Sequence, residues 1–195
     1  AGGVGGTCPM CPPTVRCAIG VRRLSLMRNT GRAGFVMAAL ILIADQASKV
    51  GITDGLGLRD LSDVIEITSF FNLRFVGNHG VSLGLLHADS DPMRWALVAL
   101  TAAIATGVAV WITREKNRVD QIALGAILGG AIGNIVDRIR LGYVVDFLDL
   151  RLGDWRPFLV FNVADAAITL GVLVLLVRAL LMRDKATDST ENSHA

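Results

Sequence analysis

Four stretches of this chain, residues 33–53, 93–113, 119–141 and 157–181, are long runs of mostly apolar residues. Crossing the hydrocarbon of a bilayer takes roughly 20 such residues in a helix, because a helix rises about 1.5 Å per residue and lipid offers no partner to an unpaired backbone N–H or C=O. Of the 195 residues, 52% are hydrophobic and only 18% charged, with a mean hydropathy of +0.54, where soluble chains carry roughly a quarter charged residues. A membrane all-α fold of four transmembrane helices is expected. The net charge of +2 is small and scattered, and no Lys/Arg block is interleaved with aromatics, so nucleic acid is not a partner.

Lys and Arg collect before residue 33, in "TREKNR" between the second and third spans, and from Arg178 onward. Short loops with this bias stay in the cytoplasm, which places both termini inside and residues 54–91 and 142–156 outside. Trp95 and Trp155 then fall at outer boundaries and Trp111 at an inner one. Within the longer outer region, "IEITSFFNLRF" mixes β-branched and aromatic residues with partial alternation. It reads as one or two short strands, a small extracytoplasmic β-domain between helices 1 and 2. "GNHG" reads as a turn and "VSLGLL" as a segment on the membrane surface. Residues 1–32 read as a disordered basic leader with Met27 a candidate natural start, and residues 184–195 as a polar cytoplasmic tail. Cys8, Cys11 and Cys17 lack the second ligand pair of a zinc site and read as free thiols.

The ionisable residues inside the spans carry the functional signal. Spans one and three run outward and hold theirs late (Asp45, Lys49; Asp137, Arg138), whereas span four runs inward and holds Asp165 early. All fall at one depth, near the outer leaflet. Such groups cost a few kcal/mol each and normally face a bundle interior or a wet cavity, so several at one level imply a shared polar pocket. Asp45/Lys49 and Asn134/Arg138 are four apart, Asn134/Asp137 and Asn162/Asp165 three apart, and each pair shares a helix face. Asp45 with Lys49, and Asp137 with Arg138, are also open to a purely structural reading as self-neutralising pairs. Asp146 and Asp165 differ, since neither has a basic residue at helical spacing and both have apolar neighbours. Two such carboxyls sharing one proton can activate a water and protonate a leaving amine, as in aspartic proteases. A proton or ion relay in a transporter, a non-catalytic scaffold built on the small-residue face of span three, and plain polar packing remain alternatives. No nucleophile elbow, HExxH or phosphate-cradling loop is present, His79, His87 and His194 are dispersed, and Ser48 and Lys49 are helix neighbours that point apart.

Five blocks in order, "ADQASK", "FNLRFVGNHG", "GGAIGNIVDR", "GYVVDFLD" and "FNVADAAITLG", resemble the bacterial lipoprotein signal peptidase (signal peptidase II) family and span residues 34–183. The resemblance implies an intramembrane aspartic endopeptidase with Asp146 and Asp165 as its dyad, cutting N-terminal to a diacylglyceryl-modified Cys in prolipoproteins. It implies that Asn78, Asn134, Arg138 and Asn162 hold the substrate and orient the acids, with Asp137 supporting and Asp45 and Lys49 bracing the pocket. No metal or cofactor is expected. The partners are prolipoprotein substrates and membrane phospholipid, and the expected state is a monomer in the bacterial cytoplasmic (inner) membrane. Two departures stand out. The segment after Asn78 reads His79, Gly80, Val81, Ser82, Leu83 where the family commonly has a smaller run ending in Phe, and Ala166 replaces a frequent Ser.

Overall fold

The glycines of the third apolar stretch decide how the helices assemble. In the computed structural model, which describes residues 31–80, 91–151 and 159–191, that stretch is α3 (Arg118–Arg140), and α1 (Arg32–Val50), α2 (Asp91–Arg114) and α4 (Val163–Glu191) all pack against it. A side chain at Gly125 would strike the Gly34 backbone, one at Gly129 the Ala38 carbonyl, and one at Gly130 the Ala164 carbonyl. Small residues thus let α1 and α4 close onto adjoining faces of α3, where both reach Gly133. More than half of α3's apolar window is buried, against about a fifth for the other helices. Their outward faces carry Val36, Leu40 and Ile43, Leu100 and Ile104, and Leu170, Leu173 and Leu176, all exposed, while Asp45, Lys49, Asn134 and Asp137 lie buried. Apolar outside and polar inside is the arrangement of a bundle solvated by lipid, and all four helices are long and apolar enough to cross a membrane.

Gly130→Ala is therefore expected to cost about 1–3 kcal/mol, because its new methyl has backbone to push against. Gly107→Ala, on open α2 surface where nothing stands within 4 Å, should be neutral or stabilising by up to about 1 kcal/mol. Thermal melts of the two variants in one detergent check the contrast.

At one end of the bundle Gly31 lies against Ile112, and Arg178 of α4 pairs with Asp120 of α3. Asn117 caps α3 there, its Oδ1 accepting from the Val119 N–H at 2.8 Å. At the other end sits a three-stranded antiparallel sheet in the order β1 (Val64–Thr68), β2 (Phe71–Asn78), β3 (Val144–Leu150). The strands expected in "IEITSFFNLRF" are β1 and β2. β3 corrects the reading of residues 142–156 as a loop: every residue from Val144 to Phe147 is buried, so both faces are covered and no apolar/polar alternation advertises the strand. Gly142, at φ 88°, ends α3 in the left-handed conformation and turns the chain straight into β3.

Two span limits also shift. α4 begins at Val163 rather than 157 because Phe161 hydrogen-bonds β3 at Leu148 and Asn162 caps the helix. It continues to Glu191, so the expected tail is helical for most of its length, no Gly or Pro standing between Met182 and Glu191 to stop it. A π-helical turn, Gly51–Gly55, extends α1 toward the sheet and places Ile52 in a second small core with Leu58, Phe75, Val145 and Phe147. The leader to residue 30, "VSLGLL", Trp155, His87 and His194 lie outside the described residues.

Candidate active site

Asp146 and Asp165 reach one place from different elements. Asp146 is the third residue of β3, and Asp165 sits in the first turn of α4. β2 carries one extra residue between Leu73 and Val76, so Val76 pairs with Asp146 and Asn78 with Val144. Without that bulge the register would slip by one and Asn78 would point to the opposite face of the sheet. With it, Asn78 Nδ2 donates to Asp146 Oδ2 at 2.9 Å. Asn78 Oδ1 in turn accepts from the Gly80 N–H at 2.8 Å, in a turn that Gly80 completes at φ 91°.

Asn162 has a double task. Its Oδ1 accepts the Asp165 N–H at 2.9 Å and so caps α4, which leaves Nδ2 free to donate to Asp146 Oδ1 at 2.6 Å and Asn134 Oδ1 at 3.3 Å. Asn134, from α3, donates its own Nδ2 to Asp165 Oδ1 at 2.8 Å. The two carboxyls are thus tied to one another through a pair of touching amides. Asp146 is 1% exposed, whereas Asp165 is half-buried and lines a groove. Burial pushes the Asp146 carboxyl up to about 6; the charge of Asp165 adds to the rise, and the amide donors of Asn78 and Asn162 oppose it.

Beneath the pair lies an ionic layer. Lys49 Nζ is 2.7 Å from Asp45 Oδ2 and 2.7 Å from Asp137 Oδ2, and it also donates to Asn134 Oδ1 at 3.4 Å. The Asp45–Lys49 pair is as the spacing implied. Asp137 is not paired in the way considered from sequence: its carboxylate faces Lys49, Gln46 Nε2 at 2.9 Å and the Val145 N–H at 3.3 Å, because adjacent residues on a helix, such as Asp137 and Arg138, do not face each other. Asp45 Oδ1 accepts the Ala164 N–H at 3.0 Å, which puts its charge on the N-terminus of α4. The carboxylate fits only because α3 has no side chain at Gly133, where a Cβ would meet Asp45 Oδ2 at 2.5 Å. Arg138 Nη1 reaches the Asn134 carbonyl at 3.4 Å, within electrostatic reach of Asp165, Asp146 and Asp137.

All nine residues singled out in the sequence therefore gather at the sheet end of the bundle. Gln46 was missed; its Nε2 bridges the Asp45 and Asp137 carboxylates, and an amide one residue from Asp45 inside an apolar span was the available signal. Of the departures, the His79 ring lies 5.5 Å from that of Tyr143, and Ala166 lines the groove beside Asp165. Two cations, Lys49 and Arg138, stand among the four carboxyls of Asp45, Asp137, Asp146 and Asp165.

The sequence profile of the family described as Signal peptidase (SPase) II matches residues 37–181. The lipoprotein signal peptidase of Rhizorhabdus wittichii is 62% identical over 151 residues, 77% of this chain and 87% of the relative. That of Sphingopyxis alaskensis is 54% identical over 155 residues, 80% and 89% of the two chains. A solved bacterial membrane enzyme is 25% identical, with a TM-score of 0.65 over 80% of this chain and 91% of its own. A second has 27% identity and a TM-score of 0.66 over 76% and 93%. With the profile reaching into all four spans and covering both strands that line the site, the chain belongs to the signal peptidase II family.

Proposed function

We propose that the chain is an intramembrane aspartic endopeptidase that removes the signal peptide from diacylglyceryl-modified prolipoproteins, cutting N-terminal to the lipidated Cys, with Asp146 and Asp165 as its catalytic pair. The family profile and the names of the relatives support the activity. The observation that carries the residue assignment is the Asn134–Asn162 amide bridge, which holds one oxygen of each carboxyl. Asp165, the less buried, takes a proton from a water whose oxygen attacks the scissile carbonyl. Asp146 begins protonated and gives its proton to the carbonyl oxygen. On collapse that proton returns to Asp146, the C–N bond breaks, and the departing nitrogen takes the proton held by Asp165. Asn78, Asn134, Asn162 and Arg138 hold substrate and acids in register, while Asp45, Lys49 and Asp137 brace the pocket. The basic loops favour cytoplasmic termini and a site near the outer leaflet of the bacterial inner membrane, among phospholipids. Nothing favours a proton- or ion-coupled transporter, since α2 holds no ionisable residue from Trp95 to Thr113.

Incubating the purified protein with a diacylglyceryl-modified precursor and its unmodified twin, and weighing the products by mass spectrometry, tests the activity. A cut just before the modified Cys is expected; an uncut lipidated precursor refutes it.

The pH profile tests the protonation assignment. Ionising Asp146 removes the active form, so kcat/KM is expected to fall above about pH 6, roughly tenfold per pH unit, as the dyad loses its shared proton. Bound substrate excludes water and favours the neutral acid, so the limb in kcat should lie at higher pH than that in kcat/KM. A flat kcat/KM from weakly acid to alkaline pH would contradict the assignment.

A further inference from the structure

The end of β2 that carries Asn78 is held as a strand on one side. β1 accompanies β2 from Phe71 to Arg74, so among the described residues the stretch 75–78 has a single strand neighbour, β3, in the register Val76↔Asp146, Gly77↔Val145 and Asn78↔Val144. Side chains alternate across a strand, and cross-strand partners share a face. Val76, Asn78, Val144 and Asp146 therefore stand on the face toward the dyad. Gly77 and Val145 belong to the other face, where Phe75 and Tyr143 also lie.

On that second face three rings form a row. The Tyr143 ring meets Phe75 edge-on, with centroids 6.2 Å apart and planes at 89°, and meets His79 at 5.5 Å and 48°. Both distances lie in the attractive range for ring pairs. Between these neighbours the tyrosine covers Gly77, so closely that an added Cβ would stand 3.3 Å from the ring. The residues on both sides of Asn78 are thus in contact with one ring. Tyr143 in turn follows Gly142, the turn at φ 88° that ends α3, so the row fastens the end of β2 to the joint between α3 and β3. On the dyad face Asn78 Nδ2 donates to Asp146 Oδ2 at 2.9 Å while its Oδ1 accepts from the Gly80 N–H at 2.8 Å. That orientation of the amide lasts only while the backbone from 77 to 80 is held.

We propose that Tyr143, gripped between Phe75 and His79, is a positioning residue that aims Asn78 at Asp146. The inference rests on the assignment of Asp146 under Proposed function and deepens it. A ring pair weighs roughly two- to tenfold in an equilibrium, enough to decide how often a strand end with one neighbour stands in place. Losing the grip has a signature that general damage lacks. Burial raises the Asp146 carboxyl and the Asn78 donor opposes that rise, so a carboxyl released from Asn78 ionises at higher pH. The charged groups around Asp146, which are Asp165 of α4, Lys49 of α1, and Asp137 and Arg138 of α3, are all kept in a Tyr143 variant.

The full-length protein is assayed for kcat/KM against pH on a diacylglyceryl-modified precursor, with the wild type as reference. In Tyr143→Ala the maximum is expected to fall roughly tenfold, and the alkaline limb, near pH 6 in the wild type, to move to higher pH. Tyr143→Phe keeps the ring and should keep both. An unchanged maximum and limb in Tyr143→Ala overturn the proposal, and so does a lower maximum with an unmoved limb, since Asp146 has then not been released. A Tyr143→Phe that behaves like Tyr143→Ala also overturns it, because the hydroxyl and not the ring would then be at work. Should Tyr143→Ala fail to fold, His79 decides, since its side chain is exposed. His79→Ala should move the limb in the same direction and His79→Phe should restore it; no movement, or no restoration by the uncharged ring, overturns the proposal. A wild type that cuts while these variants fail to respond defeats this inference only, whereas a wild type that leaves the lipidated precursor uncut defeats the function with it.

Discussion

Asp146→Asn and Asp165→Asn each leave a folded, inserted protein whose turnover of a lipidated precursor is lower by roughly 10³–10⁴-fold, the scale of losing a positioned acid or base. Both changes keep the shape of the side chain. In Asp165→Asn the new amide oxygen can still accept from Asn134 Nδ2, which in the native site lies 2.8 Å from the carboxyl. At position 146 two effects oppose each other. The new amide presents a donor to one of the amides that now donate to the carboxylate, Asn78 or Asn162, which costs about 1–3 kcal/mol. Yet the native carboxyl sits at about 6 in the fold against an ordinary 3.8, so its contribution to stability is full below pH 4 and is lost as pH rises through 6, by about 3 kcal/mol. Asparagine does not ionise and escapes that loss. Relative to wild type, the Asp146→Asn melting temperature should therefore rise between pH 4 and pH 8, while its activity stays absent throughout. Turnover is followed by mass spectrometry of the released peptide, and folding by the melt. Wild-type turnover in either variant would remove that residue from the chemistry, and a pH-independent difference in melting temperature would contradict the burial of Asp146.

How far the residues alone reveal this site depends on whether a contact is local. The spans are legible because hydrocarbon demands helices of a fixed length, and the Asp45–Lys49 pair because four residues bring two side chains onto one face. The other half of the ionic layer is not local. Lys49 meets Asp137 across two helices, and the approach depends on α3 having no side chain at Gly129 and Gly133, where Ala38 and the Asp45 carboxylate sit. β3 is hidden for a related reason: Asp146 and Asp149 interrupt an apolar run, so the segment looks like a charged loop, although both acids are buried in the strand. The bulge that aims Asn78 at Asp146 follows from pairing with β3 and has no signature within β2 itself. The family likeness singles out Asp146 and Asp165 as the expected pair. It could not show that one asparagine both caps α4 and holds Asp146, which is why the start of the helix and the position of that carboxyl are a single structural fact.

Lys49→Met is expected to be the most damaging single change to stability. The ammonium bridges Asp45 and Asp137 at 2.7 Å each, and all three side chains are almost wholly enclosed. Methionine matches the length and supplies no charge, so two buried carboxylates are left to face each other without their counter-ion. Removing one partner of a buried ion pair costs about 3–5 kcal/mol, and at roughly 2–4 °C per kcal/mol for a chain of this size the melting temperature should fall by about 10 °C. Activity should fall as well, because Asp45 also holds the Ala164 N–H at the start of α4 and Lys49 also holds Asn134, which positions Asp165. Lys49→Arg is not expected to restore the site, since a planar guanidinium cannot replace a compact ammonium between two fixed carboxylates. Adding Asp137→Asn to Lys49→Met should return part of the stability, because the repulsion loses one of its members while Asp45 keeps its bonds to Gln46 and Ala164. Thermal melts of the two single variants and the double variant, combined as a cycle, should yield a coupling of about 1–3 kcal/mol. Strict additivity would mean that Lys49 is packed beside these acids without neutralising them.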